Sequence, residues 1–390
     1  MQNRWFVLAL LFVVRAAMGV QFPTVPALSV LYADQYMIDL ATLGFLVALY
    51  LTPGIVIAIP GGALAARIGD KQIVALGLVL MGIGGASMAL FPVWEVQVFG
   101  RALAGVGAVF LNVILSKMVA ETFAGREVAT AMGVFVNSWP LGLALGLLIL
   151  PAAAERGSVE TALWVSTAIV VVVLSVFVLF YRPPSKPAGA GSAARTPLRG
   201  AVLGAAISAG AVWGLFNGAF GILFSFGATL LDERGFGLTE ATAALSVVFW
   251  AAAISTPLGG YIADRTGRRD LMLVLVMIGF GITLSLSAEV ASPYVLFALV
   301  GFISCLAAGP IMSLPAQVLS PGNSALGMGV FFTVYYVAIA VGPILAGAVA
   351  DALGTARAAF HFGTGMLVMT LIAFWAFQVF AAKVAAASKT

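Results

Sequence analysis

The sequence predicts an all-α integral membrane protein of twelve spanning helices, set out as two six-helix bundles related by a pseudo-twofold axis along the membrane normal. Three observations carry that expectation. The 390-residue chain is 62% hydrophobic, only 9% charged and has a mean hydropathy of +1.12, whereas soluble domains are close to half apolar and a quarter charged. Apolar stretches of about 20 residues, the length that crosses ~30 Å of hydrocarbon, recur along the whole chain. The two halves also echo one another.

The apolar stretches fall near 5–31, 41–65, 73–92, 95–119, 128–153 and 161–181, then 200–231, 239–262, 271–289, 292–318, 325–350 and 358–382. Each must be helical, because lipid offers backbone polar groups no partner outside the segment itself. Met1 to Val20 has the early arginine and apolar run of a signal peptide. Further spans follow at once, so it reads as the first span. Between the sixth and seventh spans, "RPPSKPAGAGSAARTPLRG" from Arg182 to Gly200 has the composition of a flexible linker. The expected organisation is an amino-terminal bundle over 1–181, a linker over 182–199 and a carboxy-terminal bundle over 200–390. The single cysteine, Cys305, has no intrachain partner and carries no redox information.

Twelve spans put both termini on one side. Taking the amino terminus as cytoplasmic places fourteen basic residues on inner segments, Lys117 among them, and leaves three outside: Arg156, Arg234 and Arg357. That is the positive-inside bias. The acids lean the other way, ten outside and five inside, with Glu121 and Glu127 in an inner loop. The expectation is a multi-pass protein of the cell inner membrane with both termini cytoplasmic.

Charge crowds into "GGYIADRTGRRD", Gly259 to Asp270, and a quieter version, "GGALAARIGDK", stands at Gly61 to Lys71. Gly62 and Gly260 are 198 positions apart, as are Arg67 and Arg265; "AMGVF" (Ala131 to Phe135) and "GMGVF" (Gly327 to Phe331) are 196 apart. Two echoes at nearly equal offsets indicate a duplicated six-helix unit. An even number of spans per unit makes the repeats parallel, an architecture that places a solute site near the midplane between the halves.

These residues resemble the Major Facilitator Superfamily of secondary transporters, whose loop signature is Gly-x-x-x-Asp-Arg-x-Gly-Arg-Lys/Arg. The second copy matches throughout, at Gly260, Asp264, Arg265, Gly267, Arg268 and Arg269. The first keeps Gly62, Arg67, Gly69 and Lys71, but Ala66 stands where the acid belongs and Asp70 where a basic residue belongs. The resemblance implies that this loop holds the inward gate by charge–dipole contact with a helix end, so the first copy's departure puts that latch in question. "GRALAGVGAVF" resembles the family's fourth-helix motif through Arg101, Gly105 and Gly107, which implies a gating or structural role for Arg101. The fifth-helix motif associated with exporters matches poorly, since "VNSWPLG" has Trp139-Pro140 in place of Gly-Pro. Within the family, "FVVRAAMGVQFPTVP" is loosely similar to the cyanate/nitroimidazole and nitrate/nitrite branches.

A charge inside hydrocarbon costs about 3 kcal/mol or more, so buried ionisable residues are the first candidates for function. Arg15 lies eleven residues past Arg4, hence ~16 Å into the first span at 1.5 Å per residue. No Asp, Glu or His reads at a comparable depth, which argues against proton coupling through a buried carboxylate. A guanidinium fork matches carboxylate, nitrate-like or phosphate oxygens, so Arg15 is expected to bind a small anionic or anion-bearing solute. The competing reading has it bonding helix-end carbonyls or snorkelling inward. Gln21 follows among Pro23 and Pro26, which loosen the backbone. Asn112 shares a helix face with Arg101 and Gly105. Asn137 and Trp139 in the fifth span, Asn217 in the seventh, Trp250 in the eighth and Tyr335 and Tyr336 in the eleventh complete the candidate lining. Against them stands the plain reading that such residues bond a neighbouring helix, for ~0.6 kcal/mol.

With one histidine, one cysteine and no His-Glu-x-x-His or Gly-x-Ser-x-Gly stretch, the chain offers no zinc or nucleophile chemistry. No enzyme activity, metal or cofactor is expected. The expected partners are a small solute and the lipid bilayer, with no nucleic acid and a monomeric chain. The rival functions are a drug or metabolite exporter and a solute sensor that does not transport.

Overall fold

The computed structural model of the protein describes residues 3–38, 40–183, 198–236, 238–289 and 293–387, and all of its regular structure is helical. In the first half the helices are α1 (Arg4–Gln21), α2 (Ser29–Tyr36), α3 (Leu40–Ala48), α4 (Gly54–Ile68), α5 (Asp70–Leu90), α6 (Trp94–Thr122), α7 (Val128–Val136), α8 (Ser138–Arg156) and α9 (Val159–Phe180). In the second half they are α10 (Gly200–Asp232), α11 (Leu238–Thr266), α12 (Arg269–Ser287), α13 (Pro293–Cys305), α14 (Ala308–Met312), α15 (Ser324–Leu353) and α16 (Ala356–Ala387). No strand occurs among the described residues.

Eleven helical stretches among the described residues are long and apolar enough to cross a membrane. The expected second span is missing from that set because its backbone breaks. Pro53 has no N–H to give, and the Thr52 hydroxyl donates back to the Ala48 carbonyl at 2.7 Å, so the chain turns over 49–53 and resumes as the short α4. Proline governs two other breaks. Pro23 and Pro26 end α1 in two 3₁₀ turns, Phe22–Thr24 and Pro26–Leu28. In the tenth span Pro310 denies the Leu306 carbonyl its helical donor, and α13 stops at Cys305. The fifth span divides into α7 and α8 at Asn137.

The chain falls into two compact units. Unit 1 comprises Met1–Thr122, Asn137–Arg195 and Ser324–Thr333, and unit 2 comprises Phe123–Val136, Thr196–Asn323 and Val334–Thr390. Thus α7 and the first ten residues of α15 cluster with the opposite half of the sequence. The linker expected at 182–199 lies mostly on residues 184–197, outside the described residues.

Inside unit 1, Val25, Leu28, Tyr32, Leu43, Leu46, Met88, Leu150 and Leu163 form a buried apolar cluster. Inside unit 2 an aromatic run dominates: Phe216 and Phe220 both meet Phe280 edge-on, and Phe224 stacks on Phe249 at 4.5 Å. Large apolar side chains also point outward, among them Leu148, Leu179 and Trp375. In water such a surface would drive association; in hydrocarbon it is the appropriate exterior.

Candidate functional site

Arg15 lies on the buried face of α1 with Val14 and Met18, and only 6% of its surface is exposed. Its Nε donates to Oδ1 of Asn112 on α6 at 3.3 Å, the long end of a normal hydrogen bond. Asn112 is itself buried, and its backbone carbonyl accepts from the Ser116 hydroxyl at 2.7 Å. The structure therefore brings together two of the residues that the sequence nominated, a cation and a neutral amide, inside unit 1.

Arg101 is 1% exposed and has a different setting. Its guanidinium fans across the carbonyls that the helix breaks release. Nη2 donates to the Phe22 carbonyl at 2.8 Å, Nη1 to Thr24 Oγ1 at 3.1 Å and to the Gln21 carbonyl at 3.4 Å, and Nε to the Leu46 carbonyl at 3.3 Å. Phe22 would have bonded to residue 26, a proline; Leu46 would have bonded to Tyr50, whose N–H turns to Val47 instead. The rings of Tyr50 and Phe22 lie 4.6 Å and 5.5 Å from the guanidinium carbon, within cation–π range. Arg101 thus braces the broken first and second spans.

Gln21 belongs to the same brace. Its Nε2 donates to the Met81 carbonyl at 2.9 Å, and its Oε1 accepts from the Tyr50 hydroxyl at 3.3 Å. With Thr24, Arg101 and Ser166 it lines a narrow cavity of about 10 Å³, room for about one water. Trp139, half-buried, packs against Phe22 at 5.4 Å, and Asn137 sits at the α7–α8 break.

In unit 2, Asn217 donates within its own helix to the Trp213 carbonyl at 2.7 Å. Trp213 stacks on Tyr335 at 6.1 Å, and Tyr335 meets Tyr336 at 5.0 Å, so Asn217 and Tyr335 meet a tryptophan that the sequence did not single out, and Tyr336 joins them through Tyr335. Trp250 stands apart. It is 74% exposed, on one stripe with Ile254, Leu258 and Tyr261, an apolar face suited to lipid. Its depth in the chain was legible; the direction of its side chain was not.

The loop motifs work as helix-end clamps. The Asp264 carboxylate accepts from the N–H of Ala129 at 3.3 Å and from the N–H and hydroxyl of Thr130, each at 2.6 Å, so it caps the first turn of α7. Gly260 lets α11 approach so closely that a Cβ there would overlap the Ala129 carbonyl; Gly62 does the same for α4 against the Ala325 carbonyl. Gly69 and Gly267 have φ of +99° and +65°, the region open to glycine. Gly105 allows α6 to cross the turn after α3, where a Cβ would lie 2.8 Å from the carbonyls of Leu49 and Tyr50. Arg265 lies over the Tyr261 ring at 5.9 Å, while Arg67 and Arg268 are exposed.

One cluster escaped the sequence reading. Lys117, assigned there to an inner segment, is buried on α6, which runs on to Thr122. Its Nζ meets both Asp70 oxygens, at 2.8 Å and 2.6 Å, and Oε2 of Glu121 at 3.2 Å. Oε1 of Glu121 accepts from the Ser324 hydroxyl at 2.5 Å. Just past α9, burial and then the charges of Asp70 and Glu121 push the Tyr181 phenol up to about 12. The missed signal was the four-residue spacing of Lys117 and Glu121, which pairs them on one helix face.

Comparison with known proteins agrees with this architecture. The family model of the Major Facilitator Superfamily matches residues 5–237 and 202–388. Cyanate transport protein CynX of Escherichia coli (strain K12) is 24% identical over 229 residues, 57% of this chain and 59% of its own length. The 3-(3-hydroxy-phenyl)propionate transporter of the same organism is 27% identical over 336 residues, 83% of this chain and 81% of its own. The crystal structure of FucP, a transporter of this superfamily, in the outward conformation superposes with a TM-score of 0.77 at 16% identity, covering 98% of this chain and 99% of FucP. A family match over nearly the whole chain, a duplicated helical unit and paired loop clamps have one reading: the chain belongs to the Major Facilitator Superfamily, whose members are membrane transporters and not enzymes.

Proposed function

We propose that the protein is an alternating-access secondary transporter of a small anionic or anion-bearing solute, with Arg15 as the anion-binding group and Asn112 as the amide that orients it. The observation that carries this reading is the placement of a guanidinium, 6% exposed, deep in the first span against a neutral side chain. Burying a full charge is costly, and a guanidinium fork matches the paired oxygens of carboxylate-like anions. The names of the two Escherichia coli relatives point the same way, since cyanate and a hydroxyphenylpropionate are both anions. In the proposed setting the protein is a monomer in the inner membrane with cytoplasmic termini, the side to which fourteen of the basic residues are assigned.

The test is a thermal-shift screen of small anions, cyanate, nitrate and aromatic carboxylates among them, on the purified protein and on Arg15→Gln. A ligand that binds the folded state raises the midpoint. Stabilisation of the parent that is lost in Arg15→Gln supports the assignment, and equal shifts in both proteins remove it.

A further inference from the structure

The two clamps are built on one plan, and the plan shows what the amino-terminal copy lacks. Gly260 abuts Ala129 as Gly62 abuts Ala325. A Cβ on Gly133 would lie 2.7 Å from the Thr256 carbonyl, and one on Gly329 would lie 2.6 Å from the Ala58 carbonyl. In every pair the α4 residue is 198 positions before its α11 counterpart, and the α7 residue is 196 positions before its α15 counterpart. The α6 register follows too: Gly105 lies against Tyr50, and Gly301, 196 further on, lies against Val248, 198 further on.

By this correspondence Ala66 occupies in unit 1 the place that Asp264 occupies in unit 2, at the first turn of α15. A methyl group accepts no hydrogen bond. Asn323, which precedes that turn, makes no side-chain capping bond either. The carboxylate that does reach the turn comes from α6, where Glu121 accepts from the hydroxyl of Ser324, the first residue of α15. Its counterpart in the second half, 196 positions on, is the neutral Gln317. The acid is therefore on the loop-side helix in one unit and on the inner helix in the other.

We propose that Glu121 is the acid of the amino-terminal clamp, standing in for the one replaced by Ala66, and that Lys117 and Asp70 position it. The charges support the substitution. Asp70 and Glu121 carry two negative charges and Lys117 one positive, which leaves one net negative charge beside the positive end of α15, as Asp264 leaves one beside α7. The clamp fixes residues 324–333 of α15 on α4 within unit 1, and releasing that segment is the conformational step that Glu121 controls.

The reporter is the alkylation rate of Ala325→Cys in a Cys305→Ala background, measured with N-ethylmaleimide on the full chain in detergent. Ala325 is buried where it meets Gly62, so labelling reads release of the segment. Glu121→Gln is expected to raise the rate about tenfold, the scale of losing one charge-assisted bond. Adding Ala66→Asp is expected to bring it back to within about twofold of the parent. Rescue is the readout that a lysine-neutralising role for Glu121 would not produce. A parent-like rate in Glu121→Gln, or a raised rate that Ala66→Asp leaves unchanged, overturns the proposal. If Glu121→Gln does not fold, Ser324→Ala removes the donor and keeps all three charges; a several-fold rise supports the clamp, and a parent-like rate overturns it. No solute enters the measurement, so its outcome is independent of the anion reading at Arg15.

Discussion

Arg101 donates a 2.8 Å hydrogen bond to the carbonyl oxygen of Phe22, the oxygen that Pro26 leaves without a helical donor. The broken helix and the buried cation answer each other. Each would be costly alone, an unpaired carbonyl in an apolar interior and a charge without compensation, and together they make a rigid polar knot within unit 1.

Replacing Arg101 by leucine orphans the carbonyls of Phe22 and Leu46. At about 1–3 kcal/mol for each buried unsatisfied group, a loss on the order of 3 kcal/mol is expected. It would be read as a lowered thermal midpoint in detergent. Arg101→Lys should recover less than half of it, because an ammonium has no planar fork to span four acceptors. A parent-like midpoint for Arg101→Leu would contradict the brace.

Trp250 and Trp213 separate an exposed residue from a packed one. Trp250→Leu should leave stability within about 0.5 kcal/mol of the parent and transport unchanged. Trp213→Leu removes a buried ring that stacks on Phe216 and Tyr335, and a loss of about 3 kcal/mol is expected. Equal tolerance at both positions would refute the assignment of faces.

At the carboxy-terminal clamp, Asp264→Ala should cost about 1 kcal/mol, the ordinary value of a helix-capping side chain. Hydrogen exchange at the Ala129 and Thr130 amides, the groups that the carboxylate accepts from, localises the effect. Faster exchange confined to the first turn of α7 is the expected pattern. Unchanged protection there would show that the cap does not hold in solution.

Glycine substitutions divide by the space around them. Gly329→Ala sets a methyl 2.6 Å from the Ala58 carbonyl and should destabilise by about 1–3 kcal/mol. Gly221→Ala and Gly365→Ala meet nothing within 4 Å and should stabilise their helices by about 0.5–1 kcal/mol. A temperature scan of the three variants checks the order.

Much of this was legible in the sequence. Hydropathy located the spans, and the echo of Gly62 at Gly260 revealed the duplication, because both depend on composition and chain position alone. The second span was legible as apolar but not as two helices, since hydropathy does not register the Thr52-Pro53 turn. Gln21 and Trp250 were nominated as solute contacts because they are polar or aromatic residues at membrane depth. Gln21 bonds to Met81 on α5 and to Tyr50 in the turn after α3, and Trp250 is exposed; partner and direction are properties of packing. The pairing of Lys117 with Asp70 was not legible, because it links residues 47 positions apart.

At Gly62 and Gly329 the main chains of α4 and α15 touch with no side chains cushioning them. Rotamers are what let a packed surface yield by degrees, and here there are none to adjust. Such a joint is brittle: it stays seated under small loads and comes apart as a whole, which turns a gradual push on either helix into a discrete click.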